Sequence, residues 1–299
     1  MIYLTKLYRA SFLPLYFTLL VYLSLIWIQG FNSALFQIVN EFQIALTMVF
    51  GSFVAGGTAL GGGAVAFPIM TKVLNIEPHT AKVFSLAIQS FGMTAAALTI
   101  VCRGIPFYGR EVLVALPMSA VGVAVSLILI TPVVEGAIVK AIFSFLLLCF
   151  AITMIYRIRR KMHHQGTCLT INPEKRYITA IAFIGGIASG LVGSGSDIIL
   201  FAFLVVFCNA DLKKATATSV IVMAFTSVLG SVINAWYLDV IDHQIQGYLL
   251  AAIPVVVVGA PLGAYVCSKI SVGQLVSFLL VLIAAEVGST SYHIYLQYH

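Results

Sequence analysis

Charge is scarce in this chain. Asp, Glu, Lys and Arg make up 9% of its 299 residues, against about 25% in a soluble domain. A chain so poor in charge cannot cover a water-facing surface, which excludes a soluble fold. Long polar stretches are missing too, which excludes one anchor carrying a separate soluble domain. The five cysteines are scattered, with no C-x-x-C pair, so neither a disulfide framework nor a zinc site is indicated. No cofactor is expected. No small-residue cleavage element of A-x-A type follows the apolar run that comes after Lys6 and Arg9. Residues 12–28 are therefore expected to remain as a first helix rather than leave as a signal peptide.

Hydrophobic residues fill 61% of the chain, in long runs from Phe12 to Ile294. Such runs predict an all-α, polytopic integral membrane protein, because only helices and closed barrels satisfy their backbone in lipid. The net charge of +6 does not point to nucleic acid. Six of the sixteen Lys and Arg lie in "RIRRKMHHQGTCLTINPEKR", residues 157–176. A polybasic stretch between apolar spans reads as a cytoplasmic loop.

The chain matches itself. With a shift of 134, residues 51–91 align with 185–225 at eight identical positions, including Gly51/Gly185, Gly56/Gly190, Gly61/Gly195 and Asn75/Asn209. With a shift of 137, "ALPMSAVG" (115–122) meets "AIPVVVVG" (252–259). The halves read as one duplicated unit, at 41–156 and 177–299, joined by the 157–176 loop and preceded by an N-terminal helix within 1–40. Each unit has three runs long enough to span: 80–101, 111–131 and 136–156, then 214–237, 246–267 and 272–293. Before them come pairs of shorter runs, 42–57 with 61–75 and 177–192 with 196–208.

Charge orients the units. With Lys6 and Arg9 inside, a pair that enters and returns on one side leaves Arg103, Arg110, the polybasic loop, Lys213, Lys214 and Lys269 inside. Glu135, Asp239 and Asp242 then fall outside. Counting each pair as one crossing would put the polybasic loop outside. Two thin crossings per pair give the same parity as a re-entrant hairpin, so charge does not separate those two. Unit one begins outside and unit two inside, so the units are inverted repeats, an arrangement found in secondary transporters.

"GGTALGGGAVAFP" (56–68) and "GLVGSGSDIILFAF" (190–203) break helices at matched places. Non-helical backbone at membrane depth survives only against protein or a water-filled cavity. Glycine permits positive φ and leaves amides bare. Half-helices starting near Ala64 and Ile198 would aim their N-termini, each carrying about +0.5 charge, at the breaks. Two such ends would form an anion site. Close helix packing is the competing use of the same glycines.

These residues resemble the TauE/SafE family of sulfite and sulfoacetate exporters. The glycine-rich break is followed by "AKVFS" (81–85), and the second copy by "ATATS" (215–219). The resemblance covers most of the chain beyond the first helix. It implies an inner-membrane carrier for small sulfur-containing or organic anions, an exporter with no cofactor. Three positions depart from the family pattern: Ala202 where unit one has Pro68, Val83-Phe84, and Asp197 in place of a glycine.

Substrate contacts are expected from Gly61, Gly62, Gly63, Ser85, Gln89, Ser194, Gly195, Ser196, Thr218 and Ser219. The hydroxyls can donate to an anion, or bond back to their own helices. Asp197 reads either as a proton-coupling carboxylate or as a helix cap. Lys72 and Lys82 read as snorkelling cations. Two rival functions stand beside the carrier. One is an intramembrane serine hydrolase using Ser194 or Ser196, although all six histidines fall in loops or near span ends. The other is a non-transporting scaffold. The expected partners are a small anion and the lipid bilayer, with a homo-oligomer left open.

Overall fold

A computed structural model describes residues 12–161 and 175–271, with scattered positions of a further helix between 273 and 288. Most of the polybasic loop and of the 272–293 span lies outside the described residues. Among the described residues the secondary structure is helical throughout. The order is α1 (Leu13–Gln29), α2 (Phe31–Asn40), α3 (Phe42–Gly57), α4 (Gly63–Pro68), α5 (Pro78–Cys102), α6 (Gly109–Val125), α7 (Gly136–Lys161), α8 (Lys175–Val192), α9 (Ser196–Val206), α10 (Leu212–Val232) and α11 (His243–Lys269). Single π-turns extend α4, α6 and α10 over Ile69–Val73, Ser126–Ile130 and Ile233–Tyr237.

The starts follow from local chemistry. Pro78 opens α5, where a missing N–H costs nothing. Asp211 caps α10 by accepting from Lys214 N–H at 3.1 Å, and Asp242 caps α11 by accepting from Ile245 N–H at 2.8 Å. The ends of the short pairs repeat. Asn75 (φ 52°) and Asn209 (φ 49°) are both left-handed, a conformation that asparagine tolerates. Ile76 N–H reaches Met70 C=O at 2.8 Å, and 134 positions later Ala210 N–H reaches Leu204 C=O at 2.9 Å.

Six described helices are long and apolar enough to cross a membrane, among them Lys175–Val192. The expected short run 177–192 is therefore of crossing length, about 27 Å at 1.5 Å per residue. The expected single N-terminal helix is two helices, because Gly30 (φ 76°) turns the chain between α1 and α2. Tyr22 ties α1 to the bundle by donating to Pro254 C=O at 2.7 Å.

Polarity runs inside out. Large apolar side chains such as Trp27, Leu113 and Trp236 are exposed, Trp236 by 87%. Gln89, Ser194, Asp197 and Ser227 are buried. That distribution suits lipid outside and a polar centre.

The two halves interleave. The main partner of α3 is α11, and the main partner of α8 is α6, so each short helix packs on a long helix of the other half. Small residues make these contacts close. A Cβ on Gly56 would overlap Ala260 C=O, and one on Gly263 would overlap Phe53 C=O. Gly122 and Gly186 do the same for α6 and α8. Close packing, the competing use of the glycines, is real at Gly56 and Gly190, where a Cβ on Gly190 would lie 2.6 Å from Ser126 Cβ.

Candidate functional site

Both glycine breaks meet at the centre. A Cβ on Gly61 would lie 2.5 Å from Asp197 Oδ2 and 2.9 Å from Gln89 Oε1. A Cβ on Gly63 would lie 2.7 Å from Gln89 Nε2 and 3.0 Å from Ser194 Oγ. The first break thus faces the start of α9, with Gln89 of α5 between them. Gln89 Nε2 donates to Gly193 C=O at 2.8 Å, so a helix of the first half holds the break of the second. One turn earlier on α5, Ser85 abuts the same break. A Cβ on Gly193 would lie 2.9 Å from Ser85 Cβ.

Four side-chain oxygens here have no hydrogen-bond partner among the described residues: Ser85 Oγ, Gln89 Oε1, Ser194 Oγ and Asp197 Oδ2. All four residues are at most 1% exposed. Buried polar atoms without a partner each cost about 1–3 kcal/mol, so a cluster of four marks a place for a polar ligand.

The breaks differ in detail from expectation. Positive φ occurs at Gly61 (69°) and Gly193 (87°), whereas Gly62 is ordinary right-handed backbone (φ −67°). Gly62 faces its own hairpin, where a Cβ would meet Ala55 Cβ at 3.3 Å. Gly195 is extended, and its lack of a side chain serves contact with Ala188, 2.6 Å from a Cβ placed there. The amides at the start of α9 are not bare. Ser196 N–H donates to Ser189 Oγ at 2.8 Å, and Ile198 N–H to Asp197 Oδ1 at 3.0 Å. Asp197 sits in the first turn rather than at the N-cap, which is Gly195. One carboxylate oxygen serves the helix end and the other is left over.

Three other expected contacts are engaged elsewhere. Ser189 Oγ donates to Ser196 Oγ at 3.0 Å. Thr218 Oγ1 donates to Lys214 C=O at 2.7 Å and accepts from Tyr108 N–H at 2.8 Å. Ser219 Oγ donates to Thr216 C=O at 2.9 Å. Back-bonding to the helix is thus the observed role of Thr218 and Ser219. Ser189 itself was missed, because its counterpart by duplication is Ala55, which shows no polar signal. Gln89, an expected contact, has Met223 as its counterpart, so the second half carries no matching amide there.

Two cavities flank the centre. One of about 600 Å³ is lined by Arg103, Lys213, Lys214 and Lys269, with Asp211 the acid among them and Gly57 at its inner side. Tyr265 holds two of these cations over its ring, Arg103 at 4.4 Å and Lys269 at 5.9 Å. Lys213 Nζ donates to Ser268 C=O at 2.8 Å. The other cavity, of about 160 Å³, is lined by His79, Lys82, Asn234 and the Gly190 backbone. The shifts that align the sequence with itself pair residues of the two linings: His79 with Lys213 and Lys82 with Thr216 at 134, Leu127 with Ala264 and Thr131 with Ser268 at 137.

A helical bundle with large apolar side chains outside and a buried polar centre has the build of a membrane transporter. The model of the family described as "Sulfite exporter TauE/SafE" matches residues 44–288. The chain belongs to that family, one of membrane transporters and not of enzymes. No curated protein and no solved structure matches it significantly.

Proposed function

We propose that the chain carries a small oxyanion of the sulfite or sulfonate class across the membrane together with a proton, using Asp197 as the coupling group. One observation carries this reading: Asp197 Oδ2 and Gln89 Oε1, both acceptors and both unpartnered, converge on the Gly61 backbone. A carboxylate and an amide oxygen, both acceptors, crowd one stretch of backbone with no donor, and protonating Asp197 supplies one. The carboxylate also occupies the N-terminal end of α9, where a substrate anion would otherwise sit. Protonation of Asp197 releases that end, and the anion takes it, with Ser85 and Ser194 donating their hydroxyl protons. Proton and anion therefore bind together and travel in the same direction.

Alternating access follows from the inverted-repeat reading. The two flanking cavities have duplicated linings but unlike volumes, about 600 and about 160 Å³. This fits one conformation of a two-sided carrier, open at the cationic mouth. The positive-inside rule puts that mouth and the N-terminus in the cytoplasm, the side from which an exporter loads; with a proton moving alongside, outward flux runs down the anion's own concentration gradient.

The test is sulfite flux in proteoliposomes against pH. Wild-type binding tightens as pH falls, because the protonated carboxyl is the form that admits the anion. Asp197→Asn keeps binding, loses the pH dependence and no longer responds to a proton gradient. Parallel pH profiles for the two proteins would remove Asp197 from coupling and leave it a helix-end residue.

A further inference from the structure

The small cavity opposite the cationic mouth contains two buried polar groups that the central site does not use. Lys82, in the second turn of α5, is 4% exposed, and Asn234, on the π-turn after α10, is 2% exposed. Asn234 Nδ2 has no hydrogen-bond partner among the described residues. Lysine is almost never this buried without a partner, and an unpaired amide donor carries its full desolvation penalty. Both groups line one cavity and both bring donors, three N–H from the ammonium and two from the amide, whose carbonyl oxygen accepts. At 4% exposure Lys82 is not a lipid-facing cation but lines a cavity with Asn234.

We propose that this cavity is a second anion site, holding one small oxyanion between Lys82 and Asn234, with His79 at its rim. Size supports a small ligand. About 160 Å³ is roughly five water volumes, below the ~300–1,000 Å³ of sites for larger molecules. The acids within electrostatic reach are Glu77, acting on both Lys82 and His79, and Asp242, acting on His79. Both acids are exposed, so solvent screens them, while Lys82 and Asn234 are buried. The duplicated position on the open side is Thr216, whose hydroxyl donates to its own helix at Leu212 C=O (2.8 Å). A buried cation is therefore particular to this mouth and is not a consequence of the repeat. An anion leaving the centre on this side would pass Ser85 and the Gly193 backbone, which adjoin Lys82. A Cβ on Gly193 would lie 2.6 Å from Lys82 C=O.

The experiment is equilibrium dialysis of the purified full chain with sodium selenite, counting bound selenium per chain. The wild type should bind two, one at the centre and one here. Lys82→Met and Asn234→Leu, both near-isosteric and apolar, should keep the folded, monodisperse state and weaken one of the two sites at least tenfold, since each removes a hydrogen bond to a charged ligand. Gly63→Ala, which fills the centre, should remove the other site. His79→Gln, at the exposed rim, keeps the test valid should the buried variants misfold, and should weaken the same site about threefold. Unchanged stoichiometry and affinity in Lys82→Met and Asn234→Leu would overturn this proposal while leaving the central site standing. Loss in those variants but not in Gly63→Ala would overturn the central site alone.

Discussion

Three adjacent glycines separate backbone conformation from space at the centre. Gly61→Ala places a Cβ at positive φ (69°), 2.5 Å from Asp197 Oδ2 and 2.9 Å from Gln89 Oε1. The left-handed backbone costs about 1–2 kcal/mol for a non-glycine residue, and the overlap a further ~1–3 kcal/mol. Gly63→Ala has no φ cost, because Gly63 begins α4, but its Cβ lies 2.7 Å from Gln89 Nε2 and 3.0 Å from Ser194 Oγ. It occupies substrate space. Gly62→Ala does neither, since φ is −67° and its nearest neighbour is Ala55 Cβ at 3.3 Å. Sulfite flux in proteoliposomes, with melting of the detergent-solubilised protein in parallel, should rank them. Gly61→Ala should lose both flux and stability. Gly63→Ala should lose flux at least 30-fold, equivalent to about 2 kcal/mol, with a smaller fall in Tm than Gly61→Ala, since only the overlap acts on its stability. Gly62→Ala should keep flux within about twofold of wild type, a difference under 0.5 kcal/mol. Wild-type flux in Gly63→Ala, or equal losses in all three, would refute the site as built here.

Gly56→Val should fail differently. Its side chain would collide with Ala260 C=O where α3 meets α11, costing about 3 kcal/mol of stability; Tm falls and flux falls with the amount of folded protein, not beyond it. Gly30→Ala, with nothing within 4 Å of its Cβ, should cost only the left-handed backbone, about 1–2 kcal/mol. Lys214→Gln at the cationic mouth should slow flux at low salt and match wild type at high salt, because attraction at the entrance is screened beyond about 8 Å at 0.15 M. A salt-independent loss would make Lys214 a structural residue.

The helix inventory was legible in the residues themselves. Runs such as 42–57 and 136–156 reappear as Phe42–Gly57 and Gly136–Lys161, because in lipid an apolar run has no alternative to helix. The matched breaks were legible as well, since glycine clusters in so apolar a chain announce where helix stops. Asn75 and Asn209 matched in sequence and carry the same left-handed turn. What each glycine does was not legible. Gly56, Gly61, Gly62 and Gly195 look alike on paper, yet one touches a neighbouring helix, one bends the backbone, one faces its own hairpin and one makes room for Ala188. Those roles depend on which surface lies opposite, and that surface comes from the other half of the chain. The same holds for polar residues. Thr218 and Ser219 have the composition of a site but bond their own helix, whereas Gln89, 104 residues from Gly193, spans two breaks. Sequence determined that this is a helical membrane protein with two matched weak points in its backbone. Only tertiary packing decided that the weak points face each other across Asp197 and Gln89, because contacts between distant segments are set by how whole helices interlock.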